Sequence, residues 1–222
     1  MACLRLRTLL VLVLAASAAT VEAADDWPAA LSRMPLGFIG PELNETNCIA
    51  AMLRAFQSNP VVKGVIFLPG ATDEFYLVHR AHARLTNASP SLLEAVIALT
   101  NQTRIQATFR TPFLLLHTAA DHLGPQARIE HQVTAEKLNH RSVPKLLCID
   151  KDWAYLQPLL KWPLKLDVRP WQKSDESYHF YRHNFAAFNL TGWEALQAAA
   201  LAGKTKITIR RNEVSFELDS TL

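Results

Sequence analysis

The chain of 222 residues gathers no charge of one sign in one place, holds three cysteines, and has no apolar run long enough to span a membrane. Each lack excludes something. Its 23 Lys and Arg against 20 Asp and Glu leave a formal charge of +3, scattered without blocks, whereas a dedicated nucleic-acid binder clusters basic residues with aromatics on one face. Only Lys204 to Arg211 approaches that pattern, and there the alternation reads as a strand with its Lys and Arg turned to solvent. No nucleic-acid partner is expected. A spanning helix needs about 20 apolar residues, so no transmembrane segment is expected either. The apolar run Leu9 to Ala19 follows Arg5 and Arg7 and precedes Val21-Glu22-Ala23, the three parts of a secretory signal. We therefore expect a signal peptide over 1–23, a polar leader over 24–35, and a single α/β domain over 36–222, secreted or periplasmic.

Cys3 leaves with that signal, so Cys48 and Cys148 remain. In an oxidising compartment they are either a disulfide or two small buried hydrophobes, and the apolar segments around them favour the second reading. Asn-x-Ser/Thr sites stand at Asn44, Asn87, Asn101 and Asn189; they are glycosylation acceptors only in a eukaryotic secretory pathway. Asn87 is followed by Ala88, Ser89 and then Pro90, an unfavourable context, and Asn189 precedes a buried-looking helix start.

The apolar spacing predicts alternating strands and helices. Strands are expected at Leu36–Ile39, Val61–Leu68, Arg104–Arg110, Phe113–Leu116, Lys145–Ile149 and Leu164–Val168. Helices are expected behind Asn47 or Thr46, from Thr72 through Leu85, from Ser89 with Pro90 in the first helical position, over Ala127–Asn139, and after Asp152. Near the end, Thr191 and Glu194 form a capping box, Gly203 stops the helix, and Arg211-Asn212 turns a hairpin between Lys204–Arg210 and Glu213–Leu218. Short strands separated by helices argue for βαβ crossovers. The expected fold class is α/β, a mainly parallel sheet flanked by helices, with a C-terminal βαββ unit over about 185–218 that ends in an antiparallel hairpin.

Ser91 to Arg110 laid on Thr191 to Arg210 without a gap matches Glu94, Ala95, Ala98, Thr108 and Arg110 with Glu194, Ala195, Ala198, Thr208 and Arg210. Both segments read as a capped helix running into an alternating strand, which raises an internal repeat against two unrelated capped helices. The order NLTGWEAL, an Ala/Leu-rich helix, Gly203, KITI and VSFEL resembles the STN-type modules of secretins and TonB-dependent receptors. It covers about a sixth of the chain and implies a protein partner in an envelope assembly, with no catalytic or ligand motif attached.

Candidate chemistry is thin. His179 and His183, four apart, have metal-ligand spacing if helical, yet no Glu stands between them as a metalloprotease base requires. Asp121 with His117 and His122 follows a strand, as acids do in α/β-hydrolases, and His179 or His183 downstream keeps the acid-then-histidine order. No nucleophile elbow precedes them. His79 and His82 beside Asp73 or Glu74, Gly70 with Thr72, and Asp150 with Asp152 are weaker sets, each explained by solvation or helix capping. No cofactor follows from any motif. The leading expectation is a non-enzymatic binding or envelope-assembly protein; the rival is a hydrolase-like enzyme with Asp121 and His179 or His183 as catalytic groups, or those two histidines as metal ligands.

Overall fold

The computed structural model describes residues 27–44, 47–55, 62–68, 81–118, 127–130, 132–151, 156, 165–168, 183–203, 205–211 and 213–218. The expected signal peptide lies outside them. Helices are α1 (Trp27–Ser32), α2 (Cys48–Ala55), α3 (Leu92–Gln102), α4 (Gln132–His140) and α5 (Gly192–Ala202). The strands of the first half are β1 (Glu42–Leu43), β2 (Gly64–Phe67), β3 (Ala83–Arg84), β4 (Gln106–Arg110) and β5 (Phe113–His117). Those of the second are β6 (Ala127–Ile129), β7 (Ser142–Lys151), β8 (Lys165–Val168), β9 (His183–Thr191), β10 (Thr205–Ile209) and β11 (Glu213–Leu218).

The strands form a five-stranded sheet, β4-β5-β2-β9-β7, a four-stranded sheet, β6-β10-β11-β8, and the pair β1-β3. The α/β class holds, but the sheets are mixed: among the described ladders three are parallel and five antiparallel. The expectation of a mainly parallel sheet is therefore corrected. Its physical cause is that β4–β5 and β10–β11 are tight hairpins, and β9 enters beside β2 from the opposite direction. The C-terminal βαββ order is present, with β9 in one sheet and the β10–β11 hairpin in the other.

The five-stranded sheet is buried on both faces, which explains why β2, β5 and β9 read as continuous apolar runs. One face carries Ile66, Phe113, Leu115, Phe185 and Ala187 into a core with α5 and with Ile207, Ile209, Val214 and Phe216 of the second sheet. The other carries Val65, Phe67, Leu114, Leu116 and Ala186 into a core with Leu31, Met52, Leu92 and Leu99 of α1, α2 and α3. Trp27 stacks on Phe109 with ring centroids 5.9 Å apart, fixing α1 against β4. The stretch expected to be a polar leader thus contributes a helix.

Two helix expectations fail locally. Ala83–Arg84 pairs with Glu42–Leu43, where a helix was expected to run through Leu85; Ala127–Ile129 pairs with Ile207–Ile209, where a helix was expected to begin. Both pieces are two or three residues long and exist through a ladder partner, which local periodicity does not reveal. The third helix also starts later than expected, with Ser91 as its cap.

The two halves repeat one another well beyond the twenty residues matched in sequence. A shift of 100 carries the capping box Ser91/Glu94 onto Thr191/Glu194, with cap dihedrals of −72° and 164° against −71° and 161°. The same shift carries the ladder pair Gln106↔His117 onto Lys206↔Glu217, and the parallel pair Gly64↔Phe113 matches Lys165↔Glu213. Ahead of each capped helix, the Leu92 amide donates to the Met34 carbonyl at 2.8 Å, as the Gly192 amide donates to that of Arg141 at 2.8 Å. Leu31 and Leu138, three residues before those acceptors, are both buried. In consequence β1 answers to β7, β2 to β8, β3 to β9, α3 to α5, β4 to β10 and β5 to β11.

The halves are clamped by Lys63, whose Nζ lies 2.8 Å from both carboxylate oxygens of Glu194. Glu194 Oε2 also accepts from the Thr191 amide at 2.7 Å, so one carboxylate closes the capping box and holds the strand of the other half. Glu94 closes its own box and, among the described residues, is joined further only by Asn87 of the same half. Glu194→Ala is therefore expected to cost about 2 kcal/mol, and Glu94→Ala less. Urea unfolding of both variants measures the difference; equal costs mean that Lys63 adds nothing.

Candidate functional site

Of the sequence-predicted candidates, His117 and His183 fall at one end of the five-stranded sheet. Gln106 pairs with His117 on one side and Lys151 with His183 on the other. The β2 ladders run Phe67↔Leu116 and Phe67↔Asn184, so His117, Leu68 and His183 fall in one row. Strand alternation puts both histidines on the α5 face, and two strand spacings separate their backbones by about 10 Å. Asp121 and His179 lie outside the described residues, as do His79, Asp152 and Gly70.

Both placed histidines are interior. His117 is 2% exposed, with Nε2 2.9 Å from the Thr108 hydroxyl. His183 has no exposed surface and lies against the C-terminal end of α5. A Cβ built on Gly203 would stand 2.5 Å from His183 Nε2 and 3.3 Å from the Ala199 carbonyl oxygen. Gly203 has φ −104°, which any residue adopts, so the glycine is required by the imidazole beside it, not by backbone handedness. Gly203→Ala is expected to cost about 1–3 kcal/mol by overpacking. In a His183→Ala background the same change costs far less, and a double-mutant cycle by denaturant unfolding reads the coupling.

No group of three His, Cys, Asp or Glu side chains among the described residues is placed to hold a metal ion. His82 is exposed just ahead of β3 and is not helical. Cys48 and Cys148 are not joined to each other: they are buried in the two cores on opposite faces of the five-stranded sheet. Burial pushes the Cys48 thiol up to about 12, so it is protonated at neutral pH and inert as a nucleophile. The basic segment near the end is an amphipathic strand: Ile207 and Ile209 are buried, and Arg210 pairs with Glu130 at 3.4 Å. Asn189, just ahead of the buried helix start, is itself exposed and left-handed at φ 52°.

The surface feature that sequence reasoning missed runs along the outer edge of β3. The Arg84 amide donates to Gln102 Oε1 and the Arg84 carbonyl accepts from Gln102 Nε2, both at 2.8 Å. A primary amide has the donor and acceptor of a peptide group, so Gln102 occupies the edge as a neighbouring strand would. Depressions of about 230 Å³ and 290 Å³ flank this bridge. The first is walled by Arg84, Asn87, Glu94, Ile97 and Asn101, and the second reaches Glu42 and His82. Ile97 is 47% exposed, and Phe38, 80% exposed, adjoins the same loop because the Ile39 amide donates to the Ala88 carbonyl. A glutamine on the polar end of an amphipathic helix gives no signal of this role in sequence.

Glu94 sits at the groove rim. Hydrogen bonds from the Ser91 amide, then its hydroxyl, then from Asn87, hold its carboxyl below the usual range. A carboxyl whose folded pKa is depressed stabilises α3 above its ordinary pKa, and that contribution is lost as pH falls through the folded value. Amide exchange in the first turn of α3 should accelerate on acidification through that window, and Glu94→Gln should remove the step.

Comparison with known protein families, curated proteins and solved structures returns no match to this chain.

Proposed function

We propose that this chain is an exported binding or envelope-assembly protein that acts by contact with another protein, not by turnover. The observation that carries this reading is the outer edge of β3. Its backbone is held by one replaceable side-chain amide, with a part-apolar groove on each side. Strand addition to such an edge supplies affinity through main-chain hydrogen bonds and specificity through flanking pockets. The exposed Ile97 and Phe38 beside it offer apolar contact. The resemblance of the C-terminal βαββ unit to secretin-type modules agrees with an envelope partner.

The alternative, a hydrolase-like enzyme using Asp121 with His179 or His183, draws on the single row shared by His117 and His183. Against it stands the burial of both imidazoles. A photo-reactive residue at Ile97, with one at exposed Lys137 on α4 as control, decides between the readings in the producing cell. A discrete adduct from position 97 alone supports binding. No adduct above the Lys137 background, together with saturable ester or phosphoester turnover lost in folded His183→Ala, overturns it in favour of the enzyme.

A further inference from the structure

We infer that two copies of this chain associate by pairing β8 of one with the outer edge of β3 of the other. The inference rests on reading that edge as a binding surface, and the internal repeat supplies the partner. In the first half β2 receives β9 antiparallel, with Ile66 opposite Phe185 and Phe67 opposite Asn184. The counterparts of these two strands are β8 and β3. Among the described residues each of those ends its ladder: β8 pairs only with β11, and β3 only with β1. Carrying the observed register over, by 101 residues on β2 and 100 on β9, sets Asp167 opposite Leu85 and Val168 opposite Arg84.

The backbone directions agree. The Phe188 amide donates to the Lys63 carbonyl, so alternate residues along this ladder, Phe67 and Asn184 included, turn their polar groups toward each other. Arg84, the counterpart of Asn184, likewise turns its N–H and C=O outward, where Gln102 meets them. The counterpart of Gln102 is Ala202, which has no group to offer an edge. Gln102 thus stands in for the strand that the second half has in place.

The groove walls agree as well. Ala198, Leu201 and Ala202 of α5 pack in the core that includes Ile66 and Leu68. Their counterparts on α3 are Ala98, Asn101 and Gln102, which line the groove beside β3. Helix α3 therefore offers an incoming strand the surface that α5 offers β2, with two apolar residues exchanged for amides. Such a surface is stable in water before it is filled, and its pairing is expected to be reversible.

Among the described residues, one chain does not bring these two edges together. The residues of β1 and β3 join the core on the α3 face of the five-stranded sheet, while β8 belongs to the four-stranded sheet packed on the α5 face. A second copy brings the two edges together.

The test uses the full mature chain. Val168→Cys and Arg84→Cys are prepared separately, mixed, and oxidised; facing residues in a hydrogen-bonded antiparallel pair lie about 5.5 Å apart, within disulfide reach. A cross-linked heterodimer from this mixture, absent when Glu42→Cys replaces Arg84→Cys, is the expected result. Sedimentation of the wild type over the micromolar range should show self-association. Val168→Pro, which deletes only the outward N–H of β8, should sediment at least tenfold more weakly associated with its urea midpoint kept. A wild type that stays monomeric, or a Val168→Pro protein that associates as before, overturns the inference. If the chain is monomeric while Ile97 still cross-links a different protein, the proposed binding function stands and only self-association falls.

Discussion

Everything in this fold depends on the insertion of β9 beside β2. Gly64 through Phe67 lie against Ala187 through Asn184, and on the far side β2 runs parallel to β5. Through this one ladder the second half completes the sheet of the first, and β9 brings β7 with it. Phe185, Ala186 and Ala187 are wholly buried, the first and third on the α5 face and the second on the α3 face. The ladder therefore nails two cores together, and the Lys63–Glu194 contact fastens its end. A residue at its centre has no face on which a polar substitution is tolerated, because each buried polar group without a partner costs on the order of 1–3 kcal/mol.

The parts legible in the sequence are those decided locally. Thr191 with Glu194 and Ser91 with Glu94 are capping boxes because a short hydroxyl and a carboxylate three residues on satisfy two amides, whatever the rest of the chain does. The Glu213–Leu218 strand and its hairpin follow from alternation and a two-residue turn in the same way. What the sequence does not carry locally is pairing direction. Alternating strands and helices suggest parallel crossovers, yet β9 arrives antiparallel after a segment whose path local patterning does not specify. Ala83–Arg84 and Ala127–Ile129 are strands through their partners alone.

The candidate site divides along the same line. His117 was legible as a chemistry-bearing residue at a strand end and His183 as a histidine downstream of it, and the ladders do bring them into one row on one face. Yet each is spent on a local contact, Thr108 for one and the close approach of Gly203 for the other. Gly203 was legible as a helix stop, and it is the cap of α5, but its φ is ordinary and it is the imidazole that sets the space. Gln102 was not legible, since its role requires knowing that Arg84 turns its backbone outward and that β3 exists.

A repeat whose halves were in identical surroundings would place its two edges alike. Here one edge of the pair is filled and the other is bridged, and the residues that differ between equivalent positions record this. Leu201 and Ala202 face a filled core, whereas Asn101 and Gln102 face a groove open to water. An apolar pair at 101 and 102 would leave Arg84 without its bridge and an apolar edge exposed, the condition under which sheet edges aggregate. The amide of Gln102 satisfies the edge while keeping it removable, since one side chain yields a strand's place more readily than a strand does. The physical difference between the halves, more than the similarity, therefore singles out the outer edge of β3, the edge on which the proposed binding rests.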